Sequence, residues 1–330
     1  MSVSACVYVT EGWGIHDERW TSALSTLGFT PRIVRLGIDV ADSSELTRHV
    51  TQQAGDDTPV LAGPLTTVTR NLVNIPARVI GLSWGFDLQD LADISWLRKI
   101  DGLIVDSPAT REIAITAGVD PSRITFLPWG VDLDIFQESG PKADLYRLGV
   151  PAGSRTVLSL RAHEPQYRVV DIIDAFANVR IPNTHLLIGH TGSLTGKLRE
   201  QVDARGIADR THFLGSVPET DLAALLRAVD LYVSASSVDG TSVTLLQAMA
   251  CGTPVIVSDI PGNQAWVDNG ITGFLFRTAD SYDLSVQMGA ALESPPAAVA
   301  HLAERARTRV SQDADWRANL SRLSRALQPR

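Results

Sequence analysis

Cysteine is nearly absent from this chain of 330 residues, which carries only Cys6 and Cys251. One lies in a Val-rich run and the other at the end of a Met-Ala-Cys-Gly helix, a pattern that supplies neither a disulfide framework nor a thiolate metal site, so both read as core thiols. Histidine offers no metal site either. The seven histidines show no His-x-x-x-His pair or other zinc spacing. No apolar run approaches the roughly 20 residues of a membrane span, and the chain opens on a short strand-like run, Ala5 to Val9. The expectation is a cytoplasmic protein without a membrane span, with weak peripheral association left open. Basic residues are scarce in the first part of the chain. Residues 1–138 hold 10 Lys and Arg against 18 Asp and Glu, while residues 139–330 hold 19 of each. An acidic first half meets nucleic acid, polyanionic acceptors and anionic membrane surfaces with like charge, so none of these is expected to face it.

What is present is an ordinary globular composition, 44% apolar and 20% charged, in a chain too long for one hydrophobic core. Short Val/Ile/Leu runs alternate with stretches at helical spacing in both halves, the pattern of parallel strands covered by helices. Strands are predicted at Ala5–Thr10, Arg32–Arg35, Val60–Ala62, Val79–Leu82, Gly102–Val105 and Ile124–Leu127. A second series follows at Thr156–Ser159, His185–Ile188, Thr211–Leu214, Leu231–Ala235, Val255–Ser258 and Gly273–Phe276. The fold class is therefore α/β, two doubly wound domains. Pro128 to Asp132 and Gly140-Pro141-Lys142 read as the linker, giving domains of residues 1–140 and 141–330. The Ala-, Leu- and Arg-rich region 298–327 is helical by pattern and long enough to cross back to the first domain.

The chemistry concentrates in residues 239–263, DGTSVTLLQAMACGTPVIVSDIPGN. A polar glycine turn leads into a short apolar helix, a Gly-x-Pro break and a buried strand. Backbone N–H groups of Gly240, Thr241 and Ser242 at the helix start, where the macrodipole favours anions, make a phosphate site. Asp239 and Gln247 bracket it. Gln247 has a second reading as a capping box with Thr244, and Asp239 one as a turn stabiliser. The loop after the first strand, Thr10 to His16, places Gly12 and Gly14 where the backbone can approach a ligand, with Trp13 between them. A dinucleotide fingerprint needs a third glycine where Asp17 stands, so a Rossmann dehydrogenase fails on its own motif. Leu82-Ser83-Trp84-Gly85-Phe86-Asp87 ends a buried strand, the usual place for ligands, and Trp84 and Asp87 are pocket candidates there; a core tryptophan is the bland alternative.

These motifs resemble the signature of family 4 retaining glycosyltransferases of the GT-B fold, in which two glutamates seven residues apart precede Ala-Met-Ala-Cys-Gly-x-Pro-Val. Here the pair reads Asp239 and Gln247. The resemblance is strong over Thr156–Phe276 and weak over the first half. It implies two Rossmann-like domains facing a central cleft, the first binding the acceptor and the second the donor. The family's Gly-Arg and following lysine, which grip the diphosphate, fall on Leu160-Arg161 and, two residues late, on Arg168, with Tyr167 and His163 as substitutes. Arginine keeps the chemistry, donating two parallel bonds where lysine gives a point charge. Asp239 is expected on the donor sugar and Gln247 on the ribose. Exchanging a charged acceptor for a neutral one replaces a bond of roughly 1.5–3 kcal/mol with one of roughly 0.5–1.5, about tenfold in affinity. By resemblance, Gly189 and Val217 border the nucleobase, and Trp84 stands where relatives often carry a histidine facing the sugar. Asp132-Leu133-Asp134 looks like the metal-binding Asp-x-Asp of other transferases, but it lies in the linker.

The function implied is transfer of a sugar from a nucleoside-diphosphate sugar to an acceptor hydroxyl with anomeric retention and without metal or cofactor. UDP is preferred by family habit. Arg161, Arg168 and the N–H groups of Gly240–Ser242 would stabilise the leaving diphosphate, whose oxygen takes the acceptor proton. The acceptor is a sugar, glycan or small molecule. Two alternatives stay open: a hydrolase or epimerase of nucleotide sugars on the same fold, and a binding protein without turnover, which Gln247 and Trp84 keep in play.

Overall fold

Strands buried on both faces by Val, Ile and Leu set the architecture. The structure is a computed structural model and describes residues 4–55, 58–84, 87–88 and 93–328. Its chain divides into two units, Met1–Pro128 with Arg317–Arg330, and Trp129–Trp316. In the first unit β1 (Ser4–Thr10), α1 (Ile15–Thr26), β2 (Phe29–Arg35), α2 (Ser43–Ala54) and β3 (Val60–Ala62) are followed by α3 (Thr67–Leu72), β4 (Val79–Leu82), β5 (Gly102–Val105), α4 (Pro108–Thr116) and β6 (Ile124–Phe126). Their sheet is parallel throughout, in the order β2-β1-β3-β4-β5-β6.

The second unit repeats the plan. It runs β7 (Arg155–Ser159), α5 (Val169–Asn178), β8 (Thr184–Gly189), α6 (Thr195–Ala204), β9 (Thr211–Gly215), α7 (Glu219–Ala228), β10 (Leu231–Ser234), α8 (Val243–Ala250) and β11 (Val255–Ser258). Then come α9 (Pro261–Gln264), β12 (Phe274–Phe276), α10 (Ser281–Glu293), α11 (Pro296–Asp313) and α12 (Trp316–Leu327), which returns the chain to the first unit. The parallel sheet order is β12-β11-β10-β7-β8-β9. Successive residues point to opposite faces of a strand. Leu158, Leu187, Tyr232 and Val257 thus feed one apolar layer, and Val157, Leu186, Val233 and Ile256 the other. Each of the twelve strands predicted from the sequence is present. Both cysteines are buried, and burial pushes their thiols up to about 12 at Cys6 and about 11 at Cys251, which makes them inert packing groups.

The chain leaves the first unit at Pro128–Trp129, before the glycine stretch near residue 140, because Val131, Phe136 and Val150 are already in the core of the second unit. The helical region expected at 298–327 is broken into α11 and α12. At the break Val131 N–H donates to Ala314 C=O and Trp316 N–H to Val131 C=O, so the backbone is drawn out of the helix into a parallel bridge. Beyond it, α12 is tied within the first unit. Buried Asn319 donates from Nδ2 to Pro128 C=O at 2.8 Å, and Arg78 caps the end of α12 by donating to the carbonyls of Ala326 (2.8 Å) and Leu327 (2.9 Å). Among the described residues no helix is long and apolar enough to cross a membrane.

In each sheet the strand order reverses at one place, and ligands of such sheets bind outside the carboxyl ends of the strands at that switch point. The reversal falls between β1 and β3 in the first unit and between β7 and β10 in the second. At the opposite end of the second sheet, His185 on β8 and His212 on β9 stack at 5.2 Å, with Nδ1 of the first 2.9 Å from Nε2 of the second. Burial holds both imidazoles below their ordinary value, and at His212 the charge of His185 adds to it. The unfolded chain takes up protons near pH 6.5 where the folded pair resists them, so this contribution to stability is full above that pH and is lost as pH falls below it. Urea midpoints should therefore decline from pH 7 to pH 5.5, and His212→Gln should flatten that decline; an unchanged pH slope in the variant would remove the pair as its cause.

Candidate functional site

Directly beyond β7 the chain turns Arg161 inward, leaving it only 9% exposed. A buried guanidinium must be paired, because the cost of stripping its water is several kcal/mol. Its Nη2 donates to Asp239 Oδ2 at 2.6 Å and its Nη1 to Ser242 Oγ at 2.8 Å, while the ring of Tyr167 lies 4.2 Å from the guanidinium carbon. Burial pulls the Arg161 pKa down, but the Asp239 carboxylate and the phenols of Tyr232 and Tyr167 leave it raised, so the group stays a cation. Its Nε is buried without a hydrogen-bond partner. The switch point of the second sheet thus holds a fixed positive charge whose Nε donor is unspent.

Asp239 and Ser242 belong to the turn that starts α8. Ser242 is the N-cap residue, yet its side chain makes no cap bond, its hydroxyl accepting from Arg161 instead. The positive end of α8 therefore lies against the same turn, with Gly240, Thr241 and Ser242 buried beside Asp239. Gly262 in α9 supports it from behind. A Cβ there would sit 2.3 Å from Gly240 C=O and 2.4 Å from Asp239 C=O, so only glycine lets α9 pack this closely. Gln247 is 6% exposed and its Oε1 has no partner. The capping-box alternative does not form: the N-cap is Ser242 rather than Thr244, and the Thr244 hydroxyl bonds Tyr232 OH at 2.7 Å. An amide oxygen buried without a bond is costly.

Arg168 goes elsewhere. It sits at φ 47, ψ 40 as the N-cap of α5, and its guanidinium folds onto that helix's own first turn, meeting both oxygens of Asp171 at 2.6 and 3.1 Å. Tyr167, rather than Arg168, stands against Arg161. Gly189 and Val217 are brought together at the ends of β8 and β9: a Cβ at Gly189 would lie 2.7 Å from Leu160 Cδ2 and 3.5 Å from Val217 Cγ2. Gly262 and Tyr232 are residues of this region that sequence reasoning did not single out, whereas Tyr167 was named there as a substitute for Arg168; the Pro-Gly-Asn run after β11 was the available signal for the first.

In the first unit the loops beyond β1 and β3 meet through the Thr66 hydroxyl and the Glu11 carboxylate. Gly14 N–H donates to Asp17 Oδ2 at 2.9 Å and Tyr8 OH to Asp17 Oδ1 at 3.0 Å, so the residue that displaces a third glycine instead caps α1. Burial, then Asp17, pushes the Tyr8 phenol well up. Gly12 has open space around it and Trp13 is 40% exposed. Trp84 packs its ring 5.4 Å from that of His16. Asp87 is not open to a substrate. Its Oδ1 accepts from Ser83 Oγ (2.7 Å) and Leu88 N–H (2.9 Å), and its Oδ2 from the N–H groups of Leu65 and Trp84 (both 2.9 Å), so its four lone pairs brace the loops after β3 and β4. Gly85 and Phe86 lie outside the described residues. Asp132 accepts from Asp134 N–H at 2.9 Å in a local turn.

The model of the family described as glycosyl transferases group 1 matches residues 144–309, half of the chain. Over 183 residues, 54% of this chain, the sequence is 34% identical to D-inositol 3-phosphate glycosyltransferase of Mycobacterium tuberculosis, and equally to the protein of that name from Mycobacterium bovis. The chain spans 38% of the length of these curated relatives. HepE of Anabaena, solved with UDP and glucose, superposes with a TM-score of 0.80 at 19% identity, covering 97% of this chain and 91% of its own. Sucrose-phosphate synthase of Thermosynechococcus elongatus gives 0.80 at 19% identity over 98% of each chain. The shared fold is GT-B.

Gly262→Ala should force the Asp239–Gly240 turn to move and lower stability by about 1–3 kcal/mol, the usual cost of overpacking. Gly289→Ala, in open space within α10, should hold or raise stability by about 0.5–1 kcal/mol. Thermal melts of the two variants check both, and equal melting temperatures would contradict the close approach of α9.

Proposed function

Because the chain belongs to the glycosyl transferases group 1 family, we propose that it moves a sugar from a UDP-sugar to an acceptor hydroxyl, with retention at the anomeric carbon and without a metal ion. The observation that carries the reading is Arg161, a buried cation whose neighbours hold it at the uncapped start of α8. In this reading the diphosphate lies on that helix start, Arg161 Nε donates to it, and charge growing on the leaving oxygen meets donors that are already oriented. A fixed guanidinium supplies the charge that a divalent cation provides elsewhere. Gln247 Oε1 accepts from a ribose hydroxyl, and the free side of Asp239 faces a sugar hydroxyl. UDP as the nucleotide leans on HepE, solved with UDP and glucose, and on family habit.

Retention follows from the same economy of groups. Asp239 is the carboxylate of the turn, and it is committed to Arg161, so it is a poor base. As the bond from the anomeric carbon to the diphosphate oxygen breaks and that from the acceptor oxygen forms on the same face, the acceptor proton passes to the departing diphosphate oxygen. The acceptor, a sugar, glycan or small molecule, is assigned to the first unit through Trp13 and Trp84. Gln247, neutral where relatives carry an acid, supports a second reading in which the site binds the nucleotide sugar without transferring it or turns it over without an acceptor.

Calorimetry should show UDP binding that EDTA does not alter. Arg161→Ala should weaken it about tenfold to hundredfold, the equivalent of a charged bond of roughly 1.5–3 kcal/mol, and Arg161→Ala combined with Asp239→Asn should do the same without a stranded carboxylate. Undiminished UDP affinity in the folded double variant would end this account of the site. Product analysis by NMR should give the donor's anomeric configuration; sugar released only to water would favour the second reading.

A further inference from the structure

The amino ends of the second sheet, away from the switch point, carry a cleft of a different character. Ser294-Pro295-Pro296 stops α10 and starts α11 within two residues, because proline cannot continue one helix and is preset for the first turn of the next. Small side chains, Ala291 and Ala298, stand on either side of that corner. Between it and the starts of β11 and β12, at Pro254 and Phe274, lies a cleft of about 370 Å³. Its floor is apolar, with Leu302 8% exposed and Phe274 half-buried. Ile271 forms one wall and is 46% exposed. It cannot retreat into the core, because its turn is closed by bonds from the N–H groups of Ile271 and Thr272 to Asp268 C=O (2.9 and 3.0 Å) and from Gly270 N–H to Gly273 C=O (2.8 Å).

The other wall is cationic. His301 and Arg305, one turn apart on α11, both line the cleft, and Arg305 Nε donates to His301 Nε2 at 3.0 Å. That bond fixes the plane of the guanidinium and leaves its two Nη groups to donate elsewhere. The next arginines of α11 are neutralised, Arg307 by Glu138 and Arg309 by Asp313. Arg305 has no carboxylate partner among the described residues. An apolar floor with a fixed cation at its rim matches a molecule divided in the same way, an aliphatic body with an anionic head. We propose that this cleft binds a free medium-chain carboxylate, its chain laid along Ile271, Phe274 and Leu302 and its head on the Nη groups of Arg305. A guanidinium fork meets a carboxylate through two parallel bonds, which favours this head over a bulkier one. The volume sets the length: at roughly 30 Å³ for each water-sized group, the cleft takes about ten carbons together with the two carboxylate oxygens. None of these residues belongs to the donor site, and the proposal does not depend on it.

Calorimetry on the full chain with decanoate, below its micellar concentration, should give a single saturable site. Affinity should rise about fourfold per methylene from hexanoate to decanoate, and dodecanoate should gain little more because the cleft is then full. Decanol and decyltrimethylammonium should bind about tenfold or more weakly than decanoate, the worth of a charge-assisted bond. Arg305→Gln should bring decanoate down to the level of decanol, and Arg305→Lys should recover part of the difference. Ala298→Trp, on the exposed first turn of α11, should weaken every chain about tenfold by filling the cleft; melting curves verify that the variants are folded. Decanol bound as tightly as decanoate, decanoate bound by Arg305→Gln as by wild type, or binding that never saturates would overturn the proposal. Sedimentation with phosphatidylglycerol vesicles that Arg305→Gln abolishes, without binding of free decanoate, would also overturn it in favour of a membrane contact.

Discussion

A guanidinium shut away from water governs the second unit. Arg161 is tolerable inside the protein only because the turn after β10 comes across to meet the loop after β7. That demand brings Asp239 and Ser242 inward and diverts Ser242 from capping α8. Behind the turn α9 closes in, an approach that only Gly262 allows. A helix start without its usual side-chain cap, a cation with a spare donor and an amide oxygen without a partner then lie along one short stretch of chain. Each is unfavourable by itself, and the three are concentrated in one short part of the unit.

The two sheets share a plan and differ in chemistry. In the second unit the reversal of strand order is occupied by charge and helix dipole. In the first it is occupied by glycine, exposed tryptophan and carboxylates that are consumed internally, Asp17 by Gly14 and Tyr8, Asp87 by four donors. Two of the 18 carboxylates in the first 138 residues, Asp17 and Asp87, thus act as structural braces.

The strands were legible because parallel strands buried on both faces leave continuous Val/Ile/Leu runs that little else produces. The break between α11 and α12 was not, since Ala314 and Asp315 sit in a run helical on both sides and the partner that interrupts it, Val131, is far away in sequence. The turn leading into α8 and the break after it were readable from the Gly and Pro punctuation, but that Arg161 and Asp239 bond each other was not. Arg168, aligned with a family lysine, pairs with Asp171 three residues on, an Arg-x-x-Asp spacing already visible at a helix start. The N–H groups of Leu65, Trp84 and Leu88 that fill the oxygens of Asp87 leave no trace in the sequence.

The return of α12 orders events in time as well as in space. Strands β1 to β6 emerge from the ribosome long before Asn319, Leu323 and Leu327, which complete their packing, and the whole second unit is synthesised in between. The sites that α12 covers, the carbonyl of Pro128 and the guanidinium of Arg78, must wait exposed until then. The first unit to be translated is therefore the last to be finished, and a nascent chain carries all of its second unit while its first still lacks its final helix.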